Sequence, residues 1–391
     1  MSGLRLGVIG VGSVVREIYE SLYYSSNYSD LISVVAVAET QEPRLKEFCD
    51  KHDIPPSHRF TDYKEMIAQC ELDAVHVNTP DSLHEAPTVA ALDAGLDVLL
   101  PKPLAESIGA AHRMRQAAVR NDRMIGVDYH KRGNPQVIEA RQRYQAGRYG
   151  EFQYGNWEMM DRLLVANPNH EPPFFATPDF AEKNSPISFL TVHMADTFMQ
   201  ITGLRPVAVR TQGWKQKLPA LKPIAVDGYD MCNTEVVFEN NGVVNFITGW
   251  HFPDPSPTIS NHRARMICTD GVLDIMHTSG YYEMTAGGVE KPNILFQTTD
   301  VDGTVTGFGM SVPGDLLQKF ADRRAGRLPE REVEDLLDPM TMGFWSTAIV
   351  EAAHESLEAG ETTANGVTFG DRLEIEDLLE ERLGDEAGGY L

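Results

Sequence analysis

Arg5-Leu6-Gly7-Val8-Ile9-Gly10-Val11-Gly12-Ser13-Val14-Val15 decides the fold. A short apolar run, Arg5 to Ile9, reads as a buried strand, and the amphipathic stretch from about Ser13 to Ser25 reads as a helix. Between them, Gly10 permits a tight turn and Gly12 lets the backbone come close to a pyrophosphate, which the helix N-terminus favours electrostatically. A glycine-rich turn of this kind carries a third glycine where this chain has Val15, which works against close packing of the helix on the strand. The next apolar run, Ile32 to Ala38, ends in Glu39 and leads into a charged helix over Pro43 to Lys51. A carboxylate there accepts hydrogen bonds from adenosine ribose hydroxyls and repels a 2′-phosphate, so the reading is NAD rather than NADP. Arg44 is the one nearby feature that argues for NADP.

Working outward, the alternation continues with strand Ala74 to Asn78, helix Leu83 to Ala94, strand Asp97 to Leu100, helix Ala105 to Asn121 and strand Met124 to Asp128. Strands alternating with helices give a doubly wound parallel sheet. After a helix over Pro135 to Gln145 the texture changes to longer strands rich in Val, Phe and Thr, such as Glu235 to Phe238 and Val243 to Thr248. One helix, Ser188 to Thr202, interrupts them and ends at Gly203 as a C-cap. Helices return over Pro313 to Ala325 and Pro339 to Ala359, and the acidic end of the chain forms a short helix or frays. The expected organisation is a dinucleotide-binding domain over 1–130, a substrate-binding and oligomerisation α/β domain with a large, mostly antiparallel open sheet over 131–365, and an acidic tail over 366–391.

The 391 residues are 42% hydrophobic and 23% charged, ample for folded domains. With 57 acidic and 34 basic residues the formal charge is −23, which repels a phosphate backbone and excludes nucleic acid as the main partner. The sequence has no uncharged apolar stretch long enough to span a membrane and no leader of signal-peptide type, so a cytoplasmic protein is expected. Cys49, Cys70, Cys232 and Cys268 are scattered without a C-x-x-C pair and read as buried free thiols. His251 and His262 are isolated, and no metal site is expected.

Two further motifs fall at strand ends, where doubly wound folds place ligands. They are Asn78-Thr79-Pro80-Asp81-Ser82-Leu83-His84 and Pro101-Lys102-Pro103. The prolines hold the backbone around Lys102 in a kink that presents one ammonium. Together, TPDSLH and AALDAGLDVLLPKPLA resemble the T-P-x-x-x-H and A-L-x-A-G-x-x-V-x-x-E-K-P-L-A run of the Gfo/Idh/MocA oxidoreductase family, and the resemblance extends over about residues 4–362. It implies a Rossmann domain holding a nicotinamide cofactor, and a second domain that contacts a sugar or cyclitol and often forms an oligomer interface. Lys102 matches the family lysine that bonds the reacting oxygen, and His193 matches the histidine that acts as acid or base. The family glutamate before the lysine is Pro101 here. The family aspartate four residues before the histidine is Phe189, and Asp196, three residues after His193, is the candidate that holds the imidazole in its place.

The expected catalytic set is Lys102, His193 and Asp196. The expected cofactor set is Gly10, Gly12, Ser13, Val14, Glu39, Asn78, Thr79, Pro80, His84 and Lys102. Tyr129, His130, Arg132, Trp157 and Arg162 are the expected substrate contacts, with Glu158 beside them. The reading is an NAD(H)-dependent dehydrogenase or reductase of a secondary alcohol or ketone in a sugar, sugar acid or cyclitol, acting as a homodimer or homotetramer. The alternatives are a redox-neutral NAD-dependent glycoside hydrolase or epimerase, and a non-catalytic cofactor-binding sensor.

Overall fold

The computed structural model describes residues 3–175, 179–276, 283–291 and 293–391. Six strands open the chain: β1 (Leu4–Ile9), β2 (Ile32–Ala38), β3 (Arg59–Phe60), β4 (Ala74–Val77), β5 (Asp97–Pro101) and β6 (Ile125–Asp128). They form one parallel sheet in the order β3-β2-β1-β4-β5-β6, so the connections reverse direction between β1 and β4. Val8, Val75, Val98, Leu99 and Leu100 are fully buried, as expected for strands covered on both faces.

The chain divides into two compact units, Met1–Gly133 with Phe296–Phe344, and Asn134–Leu295 with Trp345–Leu391. This corrects the expected linear division at residue 130. The helix Phe308–Arg324 returns to the first unit because Met310, Leu317 and Phe320 are buried in a core shared with Leu99 and Met124. It starts five residues earlier than expected: Pro313 reads as a first-turn residue but lies inside the helix, where burial of Phe308 and Met310 outweighs its missing donor. The helix expected over 339–359 is broken at Gly343, whose φ of +79° only glycine adopts readily. A Cβ there would also lie 2.4 Å from the Tyr129 hydroxyl.

In the second unit, β7 (Phe152–Arg162), β8 (Pro206–Trp214), β9 (Met231–Phe238), β10 (Val243–Phe252), β11 (Ser260–Cys268) and β12 (Gly271–Met276) join a nine-stranded sheet. Only β7 and β10 pair in parallel, and the other neighbours are antiparallel. The alternating burial of β9 and β10 shows one face covered. The cover includes the helix Val192–Thr202, capped by Gly203 in the left-handed region at φ 74°. Phe198 on this helix meets Trp157, Phe238 and Phe246 edge-on or tilted, at ring-centre distances between 4.4 and 6.5 Å. The acidic end is not a frayed tail: Val367–Phe369 and Leu373–Glu374 pair with β8, and the helix Ile375–Leu383 buries Ile375, Leu378 and Leu379. Among the described residues no helix is long and apolar enough to cross a membrane.

Candidate active site

The glycine-rich turn is made by main-chain constraints. Gly10 has φ +87°, and a Cβ on it would sit 2.7 Å from the carbonyl oxygen of Asn78. Its N–H donates to Ala38 O at 2.7 Å while Asn78 N–H donates to Ile9 O at 2.7 Å, so β1 is held between β2 and β4 at the reversal point. Gly12 is different, because nothing lies within 4 Å of where its Cβ would be. That open space beside a helix start is what a close-approaching pyrophosphate requires. Ser13 is half-buried and Val14 exposed on the first turn. Where the third glycine is missing, the helix runs as a π-turn over Val15–Tyr19, with Val15 buried, before it becomes α-helical at Glu20. The wider turn gives the branched side chain room that an α-turn would deny it.

Glu39 has a structural duty that the sequence did not disclose. Its Oε2 accepts from Val11 N–H at 2.9 Å and its Oε1 from Gln41 N–H at 2.9 Å, so this buried carboxylate pins the glycine-rich turn to the start of the helix Glu42–Lys51. Oε1 also accepts from the Thr40 hydroxyl at 3.4 Å, and Oε2 keeps a second lone pair for a ribose hydroxyl. A small depression beside it is lined by Val11, Arg16, Glu20, Arg44, Glu47, Phe48 and Lys51. Lys51 pairs with Glu20 at 2.6 Å and Arg16 approaches Glu47 at 3.9 Å.

At the ends of β4 and β5, Asn78 donates to His76 O and the Tyr23 hydroxyl, while its Oδ1 is buried with no hydrogen-bond partner among the described residues. An orphan acceptor next to Gly10 fits a donor from a bound dinucleotide. Thr79 bonds Leu83 O at 3.0 Å, and Pro80 is exposed. His84 corrects the expected cofactor set: it is fully buried, with Nδ1 3.0 Å from Pro103 O and Nε2 3.1 Å from Thr79 O. Both ring nitrogens face main-chain carbonyls of the unit itself, so His84 ties the loop after β4 to the Lys102 loop. Burial lowers its pKa, against the opposing pull of Asp81 and these carbonyls.

Lys102 is half-buried at the end of β5, and its charge, after desolvation and Lys131, helps push the His130 pKa down to about 3. His130 is therefore neutral, packed against Phe296 and Phe308 at 5.2 and 6.0 Å. Lys131, which the sequence reading passed over, is 4% exposed. Tyr129 is 1% exposed and packed on Gly343, which makes it core rather than a pocket wall. Arg132 donates to Thr341 O at 2.6 Å and lies 4.6 Å from the Tyr129 ring centre, so it serves packing within the unit. Sequence reasoning also missed the buried pair under these loops: the Tyr19 hydroxyl donates to Asp128 Oδ2 at 2.8 Å, and burial lifts the Asp128 pKa to about 7. The only signal was an acid closing an otherwise apolar strand.

The second unit supplies the His193 helix. Ser185 Oγ accepts from Ile187 N–H and bonds His354 Nε2 at 2.7 Å, and Thr191 Oγ1 lies 2.9 Å from Thr248 Oγ1 on β10. These contacts fix a π-turn over Ile187–Thr191 that runs straight into the α-helix carrying His193 and Asp196. Both are buried, at 7% and 1%, so Asp196 is not a solvated acid. Phe189 occupies the expected carboxylate position inside an aromatic group with Phe175, Phe180 and Trp250. Trp157 is fully buried among Phe198 and Phe246, which corrects its expected role as a sugar platform. Arg162, half-buried at the end of β7, keeps a buried Nε without a hydrogen-bond partner among the described residues, and Glu158 faces Arg263 across the strand pair. Among the described residues no group of three or more His, Cys, Asp or Glu side chains is placed to hold a metal ion.

Known proteins resemble the chain in the same way. Inositol 2-dehydrogenase of Corynebacterium glutamicum is 26% identical over 242 residues, covering 62% of this chain and 65% of that protein. D-glucoside 3-dehydrogenase of Escherichia coli is 25% identical over 206 residues, covering 53% of this chain and 56% of its own length. The chain thus matches less than two thirds of the length of these curated relatives. The crystal structure of scyllo-inositol dehydrogenase from Lactobacillus casei, with bound NAD(H) and scyllo-inositol, superposes with a TM-score of 0.70 at 16% identity, covering 96% of this chain and 99% of that one. Such a likeness establishes the fold. Residues 4–129 match the Gfo/Idh/MocA model, described as an oxidoreductase family with an NAD-binding Rossmann fold.

Proposed function

We propose that the protein is an NAD(H)-dependent dehydrogenase or reductase acting on a secondary alcohol, or the matching ketone, of a sugar, sugar acid or cyclitol. The observation that carries this reading is the clamped Lys102 loop. It puts one ammonium at the end of β5, in the same sheet and at the same strand ends as the Gly10-Gly12 turn and the orphan Asn78 acceptor. The relatives named above are what point to sugars and cyclitols.

The turn residues Gly10, Gly12, Ser13 and Val14 would hold the pyrophosphate, Glu39 the adenosine ribose, and Asn78, Thr79 and Pro80 the far end of the dinucleotide. When bound, the nicotinamide supplies the two-electron acceptor or donor. Glu39 at the end of β2 would meet a 2′-phosphate with its own charge, which supports NAD, while Arg44, which lines the neighbouring depression, is the feature that argues for NADP. In the oxidative direction the His193 imidazole takes the hydroxyl proton as general base, and Lys102 Nζ donates to the oxygen as it gains charge. Asp196, buried on the same helix, holds the imidazole orientation. His130, kept neutral beside Lys102, is able both to donate to and to accept from a substrate hydroxyl.

The test mixes the protein with NAD⁺ or NADP⁺ and a panel of aldoses, uronates, inositols and glycosides, and follows reduced nicotinamide. Turnover with NAD⁺ that His193→Asn abolishes supports the reading. Bound NAD without turnover in either direction on any of them would overturn it.

A further inference from the structure

Phe189 stands one helical turn ahead of His193, on the same face of a continuous helical segment. Its ring belongs to a group of five. Phe175 stacks on Phe180 with ring centres 4.1 Å apart, and Phe174 meets Phe175 edge-on at 4.9 Å. Phe189 is edge-on to Phe180 at 5.2 Å and tilted against Trp250 at 5.7 Å. The four phenylalanines are only half-buried, whereas Trp250 is fully buried and its indole N–H has no hydrogen-bond partner among the described residues.

Three features of this group need a common explanation. Partly exposed rings next to a candidate acid-base residue leave apolar surface in water that a ligand ring would cover. A buried indole donor without an acceptor is uncommon and fits an oxygen brought by a ligand. A phenyl ring one turn before His193 cannot accept a hydroxyl hydrogen bond, so whatever packs there is apolar.

Resting on the dehydrogenase reading above, we propose that these rings receive an aryl group carried by the sugar, so that the substrate is an aryl glycoside. The reaction is the two-electron oxidation of a ring carbinol: its C–H gives a hydride to NAD⁺, its O–H gives a proton to His193, and ketone and NADH result. The aryl group stays attached and takes no part in bond breaking. It adds binding energy one turn from the acid-base residue, where a carboxylate would have read a hydroxyl.

The test uses the full chain loaded with NAD⁺. Phenyl and methyl glycosides of glucose, galactose and xylose, both anomers, are titrated while indole fluorescence reports binding and reduced nicotinamide reports turnover. The phenyl member of at least one pair is expected to bind about tenfold tighter or more than its methyl partner. Phe189→Ala and Phe175→Ala should each bring that affinity down to the methyl level, with Phe189→Leu replacing Phe189→Ala if the latter fails to fold. Equal affinities across all pairs, or a preference that survives both variants, would overturn the proposal. So would loss of an oligomer in either variant by light scattering, which would assign the rings to a contact between copies of the chain. Equal turnover of methyl and phenyl partners sinks this inference and leaves the dehydrogenase reading standing. Aryl-selective binding without reduced nicotinamide from any sugar would overturn the dehydrogenase reading and with it the oxidation proposed here, leaving the rings as an aryl-binding surface only.

Discussion

The strand ends of the first unit and the His193 helix of the second hold their polar groups by different means. Around Gly10, Asn78 and Lys102 main-chain groups are one partner of every positioning contact: Gly10 N–H on Ala38 O, Asn78 N–H on Ile9 O, Val11 N–H on the Glu39 carboxylate, and the His84 ring between the carbonyls of Thr79 and Pro103. Around His193 it is done by side chains: Ser185 with His354, Thr191 with Thr248, and the Phe189 ring group. Main-chain geometry demands particular residues at particular positions, glycine at φ +87° above all, whereas a side-chain scaffold can be rebuilt from other residues. The chain departs from the pattern it resembles in both regions, at Val15 and Pro101 in the first and at Phe189, in place of an acid, in the second.

Four outcomes would sharpen or break that contrast. His193→Asn should lower kcat by about 10²-fold or more while NAD affinity, measured by titration, stays unchanged. A fall in affinity alone would show that the helix serves binding rather than chemistry. The second concerns Asp128, whose carboxyl burial lifts to about 7 against an unfolded value near 4. The folded state therefore holds this proton more tightly: its stabilising contribution is full below about pH 4, is lost as pH rises through 7 and is flat above that. Asp128→Asn should remove the slope, a difference on the order of 4 kcal/mol between the two ends of the window. Parallel urea melts of the two proteins across pH 4–8 would decide it, and coincident slopes would mean that Asp128 stays ionised in the fold.

Gly10→Ala should cost about 2 kcal/mol, because it combines a left-handed φ with a Cβ 2.7 Å from Asn78 O. NAD affinity should fall with it, and Gly12→Ala, in open space, should weaken NAD without changing the melting temperature. If Gly12→Ala binds NAD as the unaltered chain does, the turn is not the cofactor cradle. The smallest expected effect is His84→Ala, at roughly 1 kcal/mol for the one carbonyl bond that a neutral imidazole can donate. It should also lower kcat through a loosened Lys102 loop, and a stability loss with kcat intact would show the clamp to be structural only.

Legibility in the sequence follows the same division. β2 and the helix Pro135–Gln145 lie where the pattern puts them, because burial on both strand faces and a Pro at the first helical turn are local signals. The Gly203 cap is another. Trp157, in the middle of β7, and Tyr129, just after β6, read in the sequence as substrate contacts because an aromatic looks the same whether it lines a pocket or fills a core, and only the Phe198, Phe246 and Gly343 neighbours decide between them. His84 reads in the sequence as a ligand contact for a similar reason, its two carbonyl neighbours being five and nineteen residues away.

The order of strands and helices, the glycine turn and Glu39 at the end of β2 are readable from residues close together in the chain, whereas Lys102 and His193 stand out only through the family resemblance. The return of Phe308–Arg324 to the first core, the π-turn before His193, the Tyr19–Asp128 pair and the packing of Trp250 on Phe189 depend on partners tens to hundreds of residues apart. Periodicity and turn chemistry are short-range properties of the backbone and are written locally. Burial and pairing are many-body outcomes of packing, and only the folded chain determines them.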